Sequence, residues 1–436
     1  MTQALPSTGA ITGVGEALAF FRNPDFARER FGQHGDIFET RLIGQRLIFI
    51  RGDGPINDLL RQSDALEGWW PESVRKLLGS RSLANRSGED HRARRRVVGQ
   101  LFSSAALQRY SPGLIDQVNA LADELNASAG ATPLAARMRR FAFSVIASTV
   151  LGLDAHQRDG LFGDFEIWTK ALFSLPLALP GTAFAKAMAA RSRLLQRLKQ
   201  VLTTTEPLRG GIDLIAGGLD EAGLPLSDDD LVEQLLLLLF AGYETTASSL
   251  SCLMRALMLD PCVENWLREE TDGLAWPPEA RTAASAYDSQ HAPRLDAVVK
   301  EVMRMTPPVG GFFRRTTKPI TLQGVAIPAD RVIQVALAAS DRDGPGDLDS
   351  FRPSRHMDNS EDTPVLMPFG GGERVCLGKA LAELEIRLMV VGLLQQTHLT
   401  LAPDQDLSLQ LIPSPTPKDQ LLVMTSPRPD TRVREE

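Results

Sequence analysis

Residues 368–378 read Pro368-Phe369-Gly370-Gly371-Gly372-Glu373-Arg374-Val375-Cys376-Leu377-Gly378. Three consecutive glycines allow backbone geometries and close approaches that a Cβ would block. An arginine and a cysteine follow, and an apolar segment of helical period begins at once. A thiol at a helix N-terminus is favoured as the thiolate, because free backbone N–H groups and the helix dipole stabilise negative charge there. Such a thiolate is a soft metal ligand or a nucleophile. A flat cofactor lying over the sulfur needs the clearance that the glycines provide. A lone cysteine is more often a small buried hydrophobe. The pattern Phe-x-x-Gly-x-Arg-x-Cys-x-Gly, met by Phe369, Gly372, Arg374, Cys376 and Gly378, sets this one apart.

The chain of 436 residues is 43% hydrophobic and 23% charged, an ordinary globular composition with ample length for a large core. Its net charge of -7 gives no reason to expect nucleic-acid binding. Cys252, Cys262 and Cys376 form neither a disulfide framework nor a CxxC pair, which fits a reducing compartment. Residues 1–10 lack the basic and apolar regions of a signal peptide. The longest apolar run, Leu235 to Tyr243, falls short of the ~18–20 residues a membrane span needs and is flanked by Glu233 and Glu244. The expectation is a soluble, cytoplasmic chain without a membrane span.

Local patterns predict a mostly α chain with a small β region. A hairpin is expected at Ile37–Leu42 and Arg46–Ile50. Helical periodicity runs from Glu89 to about Gln200, interrupted at Pro180-Gly181. Ser227-Asp228-Asp229-Asp230 caps a long helix reaching about Met258, ~45 Å at 1.5 Å per residue. Another helix covers about Ala292 to Met305, stopped by Pro307-Pro308. Short strands follow at Lys318–Leu322 and Arg331–Ala336, an irregular stretch at Pro353–Pro368, a last helix from about Leu377 to Gln396, and a β-like tail. No internal repeat is evident. Within the long helix, Phe240-Ala241-Gly242-Tyr243-Glu244-Thr245-Thr246 puts polar groups directly after five leucines. Small Ala241 and Gly242 leave room for a ligand, or for a second helix.

The 368–378 stretch resembles the haem-binding loop of cytochromes P450, and the resemblance extends over roughly residues 25 to 425. It implies the P450 fold, with the long helix crossing over haem b and Cys376 as the iron ligand, a known mode of thiolate ligation. It implies one catalytic domain over 1–436, with β-containing edges at about 25–60 and 310–340 and helical bulk at about 89–306 and 377–396. Ala241-Gly242-Tyr243-Glu244-Thr245 resembles the family's distal motif, which places Glu244 and Thr245 as an acid–alcohol pair that delivers protons to dioxygen. Glu301 and Arg304, spaced i, i+3 on one helix face, resemble the Glu-x-x-Arg motif. Phe351-Arg352-Pro353-Ser354-Arg355 supplies the third member, Arg355, of a buried network that holds the cysteine loop.

By the same resemblance His91, Arg95, Arg314 and Arg374 meet the haem propionates, while Phe369 and Gly378 belong to the haem loop. Register against Gly324 and Ile327-Pro328 favours Arg314 over Arg315. Trp69, Trp70, Phe240, Ala241, Val309 and Phe312 map onto walls of a lipophilic substrate pocket. A basic patch of Arg92 and Arg94, extended by Lys379, would dock a ferredoxin or flavodoxin fed by its reductase. The implied activity is monooxygenation of a lipophilic substrate by hydroxylation or epoxidation. Residues 369–379, 241–246 and 413–419 look most like the cyanobacterial and retinoid-hydroxylating branch, which ranks retinoids first, then other isoprenoids, then long-chain fatty acids. A peroxide-driven peroxygenase acting on fatty acids and a non-catalytic haem sensor are the alternatives; the acid–alcohol pair argues against both.

Overall fold

In a computed structural model, residues 4–428 are described except 10, 12, 24, 43, 173, 204–209, 280, 341–346 and 358–365. The organising element is the central helix, Asp228–Leu259. The Ser227 hydroxyl accepts the Asp230 N–H, and three aspartates fill the first turn, where they complement the helix dipole. This helix is long and apolar enough to cross a membrane, but 72% of its apolar window is buried inside the protein, so its apolarity is that of a core element. Against it pack Leu134–Ser144, Ala183–Leu202, Pro293–Met305 and the cysteine helix, Lys379–Gln396. The predicted break at Pro180-Gly181 falls between Ala155–Lys170 and Ala183–Leu202, the latter capped by Thr182. The cysteine helix starts two residues later than expected, because Leu377 and Gly378 still belong to the loop that presents Cys376.

After Ser144 the chain widens into a π-helical turn, Val145–Val150, and Ile146 in it lies against the central helix. A Cβ at Gly242 would come 2.5 Å from Ile146 Cγ1. Gly242 therefore admits a neighbouring helix, the second of the two sequence readings, while it also borders the cavity described below.

A five-stranded sheet runs in the order Ile37–Leu42, Gln45–Ile50, Val332–Val335, Phe312–Thr316 and Leu66–Gly68, with only the second and third strands parallel. Side chains alternate across it. Phe38 and Phe49 stack at 5.2 Å on one face, while Ile37, Ile48 and Ile50 fill a separate cluster on the other. Phe312–Thr316, of which the sequence reading singled out Phe312 as pocket wall and Arg314 as a propionate partner, forms a strand. Lys318–Leu322 narrows to Ile320–Leu322, which pairs with Val325–Ile327 outside the main sheet. The tail contributes Thr397–Leu401 and Leu422–Pro427 to a third sheet. In the stretch read as irregular, Pro353–His356 form a short 3₁₀ turn, and 358–365 lie outside the described residues.

Candidate functional site

Between the central helix, the cysteine loop and the sheet lies a cavity of about 370 Å³, lined by residues from Gly68 to Ile386. The loop that forms its floor turns through left-handed conformations at Gly370 and Gly372 (φ +69° and +66°), which an L side chain adopts only with strain. The Cys376 N–H donates to the Phe369 carbonyl at 2.9 Å. The Lys379 ammonium lies 5.7 Å from the centre of the Phe369 ring. The N–H groups of Gly378 and Lys379 point at the sulfur. Gly378 itself has ordinary φ and space for a Cβ.

Burial pushes the Cys376 thiol up, and this outweighs the Gly378 N–H, Arg95 and the Lys379 N–H, which all act downward. The net direction is opposite to the sequence expectation. The residue opens onto the cavity, yet protein encloses it enough that lost hydration exceeds what the helix start returns. A bound cation would supply the remainder, since a coordinating thiol is deprotonated outright. Among the described residues, no group of three or more His, Cys, Asp or Glu could hold a metal. Cys376 can therefore hold one only where a cofactor provides the other ligands.

The cationic groups test whether haem is that cofactor. His91, Arg95, Arg314 and Arg374 all line the cavity. Among the described residues, none of the three arginines has a carboxylate partner. Arg95 donates to the Val375 carbonyl, Arg314 to Phe313, and Arg374 to Arg86 and the Ser87 hydroxyl. Burial, then Arg374, brings Arg314 down to about 10. Burial, then the charges of Arg374, Arg95, Arg314 and Arg92, bring His91 down to about 4, so it is a neutral N–H donor at pH 7. Uncompensated cations in a half-buried cavity are costly without an anion. Two propionates beside a flat ring answer that need, so the residues fit haem. Gly68 contributes as well: a Cβ there would lie 2.5 Å from Arg374 Nη1. Arg314 faces inward over the Phe312 ring at 4.4 Å, whereas Arg315 points out to Glu67.

On the opposite wall Ala241, Gly242, Thr245 and Thr246 line the cavity. The Thr245 hydroxyl donates to the Ala241 carbonyl at 2.6 Å, one turn back. Glu244 is buried and set behind this wall, its Oε1 3.9 Å from Arg139 Nη2, and it is not among the lining residues. Burial raises its carboxyl, partly opposed by Arg139. Arg139 is held by Gln420 and Thr416, and the Pro415 carbonyl accepts from Ser248, so the 413–419 segment grips the central helix.

Glu301, Arg304 and Arg355 meet in the core, the first two wholly without exposure. Glu301 takes two bonds from Arg304 (2.8 and 2.9 Å), one from Arg355 and one from the Arg352 N–H (2.9 Å each). His356 Nε2 lies 2.7 Å from its other oxygen and was missed by the sequence reading, although it directly follows Arg355. The two arginines also bind the carbonyls of Asp347, Leu348 and Ser350. The network thus grips the chain at 347–356, upstream of the cysteine loop.

Two further residues do not stand where the sequence reading put them. Phe240 does not line the cavity; it sits edge-on to Trp168 at 5.8 Å, because the helix turns it into the neighbouring core. Arg94 cannot belong to a docking patch: it is buried and paired with Asp90, Glu221 and Asp230. Arg92 remains at the surface, shared between Glu89 and Glu373. Trp69, Trp70, Val309 and Phe312 do line the cavity, joined by Phe313, whose ring is 5.2 Å from that of Trp69. Glu385, on the cysteine helix, also lines it and has no counterpart in the sequence reading.

A sequence model described as cytochrome P450 matches residues 5–429. Cytochrome P450 120 of Synechocystis sp. is 35% identical over 429 residues, 96% of each chain. Human cytochrome P450 26C1 is 30% identical, with 92% of this chain and 84% of the relative covered. The structure of cyanobacterial CYP120A1 with retinoic acid bound superimposes with a TM-score of 0.89 at 33% identity, over 98% of this chain and all of that one.

Proposed function

Because the chain belongs to the cytochrome P450 family, and is thus a haem-thiolate monooxygenase acting on a lipophilic substrate with electrons from a redox partner, we propose that its substrate is a retinoid or a similarly elongated isoprenoid. The observation that carries this reading is the cavity wall of Trp69, Trp70, Val309, Phe312 and Phe313, in a chain that covers the retinoic-acid-bound relative from end to end. The whole chain acts as one catalytic unit, since residues from 68 to 386 share that cavity. The electron donor is a ferredoxin or flavodoxin in the same cytoplasmic compartment, meeting the protein near Arg92 and Lys379 on the cysteine side.

Bound haem supplies oxygen activation and electron uptake, with Cys376 as its thiolate ligand. The chain's residues do the rest. His91, Arg95, Arg314 and Arg374 hold the propionates, and the aromatic wall excludes water and aligns an apolar chain. Thr245, already hydrogen-bonded to its own helix, is an alcohol that can turn toward the cavity and hold a proton-donating water. Glu244 and Arg139 keep a charged group close behind it.

Adding all-trans retinoic acid to the holoenzyme is expected to shift the haem from low to high spin at micromolar concentration or below. A response to long-chain fatty acids with none to retinoids would overturn the substrate assignment. Thr245→Ala is expected to leave that spin shift in place while the share of NAD(P)H converted to product falls by about tenfold or more. Retained coupling would remove Thr245 from proton delivery.

A further inference from the structure

Gln234 lies in the second turn of the central helix, just before a run of leucines, and has no exposure to solvent. A primary amide in that setting is costly unless its polar atoms are bonded. Its bonds reach the backbone of a distant stretch of chain. Oε1 accepts the Leu83 N–H at 2.8 Å, and Nε2 donates to the Arg81 carbonyl at 2.7 Å. Asp230, one turn back, takes the other Nε2 hydrogen. Glu233 adds a bond from the Arg81 N–H at 2.7 Å. The remaining bonds of 81–83 among the described residues are local, to Gly79, Asn85 and Arg86. The stretch so held is cavity wall. Leu83 and Ala84 line the cavity, as do Leu237, Leu238 and Ala241, which stand three, four and seven positions after Gln234 on one helix face. The short turn Leu83–Asn85 packs against that helix, and the Gln234 amide spans the gap between them. Two bonds from one planar amide fix both spacing and tilt, which apolar contact alone does not.

We propose that Gln234 is a specificity-determining positioning residue: its amide sets how far Leu83 and Ala84 stand from the central helix, and so the width of the cavity at that corner. This rests on the cavity being the substrate site of the monooxygenase, and not on the substrate being a retinoid. Gln234 is not itself a lining residue and touches no reacting atom. It acts through the wall it holds. Its loss should therefore change which molecules fit beside the haem while leaving the haem and its thiolate ligand as they are.

Gln234→Met keeps the length of the side chain and removes both backbone bonds. The probes are imidazole and 4-phenylimidazole, which bind the iron of the holoenzyme through the same kind of nitrogen and differ in the ring that must lie against the wall. The thiolate signature of the reduced, CO-bound haem is expected to be unchanged. Imidazole affinity is expected to stay within about twofold, whereas 4-phenylimidazole binds about fivefold or more weakly, since a wall no longer held must be ordered when the ligand packs on it. Leu83→Ala is expected to show the same selective loss. The double variant should lose no more than the larger single loss, because both changes act on one wall. Should Gln234→Met fail to fold, Gln234→Asn, whose shorter amide cannot reach both backbone groups, carries the test with the same result expected. Neither probe is a substrate, so the result stands whatever the enzyme oxidises, and a missing spin shift with retinoic acid bears on the substrate reading alone. Equal losses for both probes, an unchanged 4-phenylimidazole affinity, or fully additive effects of Gln234→Met and Leu83→Ala would overturn the assignment.

Discussion

Cys376→Ser is expected to cost at least about a hundredfold in product formation and to erase the thiolate signature of the reduced, CO-bound haem. Loss of outer-shell partners alone costs metal sites 10- to 100-fold, and here the ligand atom itself changes. The reason lies in the balance of forces on the sulfur. Burial already works against ionisation of the thiol, which is only partly countered by two backbone N–H groups and Arg95. A serine hydroxyl is a far weaker acid in the same place and a harder donor, so it cannot replace the thiolate for electron donation to iron. The loop itself should survive. Its geometry is set by the glycines at 370 and 372 and by the bond from the Cys376 N–H to Phe369, none of which uses the sulfur. The expected result is a folded, haem-containing protein with an altered spectrum; an unchanged spectrum would refute the ligand assignment.

Glu301→Gln is expected to destabilise the fold by about 3–5 kcal/mol, read from the chemical-denaturation midpoint. Breaking a buried pair leaves an uncompensated charge, and here two arginines would be left at once, with Arg304 wholly buried. The same residue sets an acid limit. Burial works to raise its carboxyl, but hydrogen bonds from His356, Arg304 and the Arg352 N–H outweigh this and hold it at about 2, below its ordinary 4.5. A group depressed in the folded state stabilises above its unfolded value and loses that contribution as pH falls through the folded one. The wild-type protein should therefore lose stability between about pH 4.5 and 2, and Glu301→Gln should show a shallower loss over that window. Equal slopes would show that other carboxylates govern acid unfolding. Because the network grips 347–356, the variant should also lose haem more readily than wild type.

Much of this site was legible because its parts are local patterns. The Ser227 cap and the leucine run define the central helix within a residue or two. The i, i+3 spacing of Glu301 and Arg304 survives as two short hydrogen bonds on one helix face. Gly370 and Gly372 take the left-handed conformations that a tight glycine loop suggests. His356 was overlooked because one histidine beside an arginine carries no periodic signal; its meaning depends on Glu301, 55 positions away.

The sequence by itself determined the kind of chemistry: a cysteine presented by a glycine loop, a helix rich enough in leucine to form the core, and cations for an anionic cofactor. Those are properties of adjacent residues and short spacings. Only the tertiary structure decided which members of each group face the cavity. Arg95 enters it while Arg94 is drawn to Asp230, 136 positions away. Glu385 reaches the wall while Glu244 turns to Arg139. The thiol's ionisation is likewise a matter of enclosure, which no local pattern encodes. The physical reason is the same in each case: a helix residue's direction follows from its position, but what lies in that direction, apolar wall, partner charge or water, is set by segments that packing brings from far along the chain.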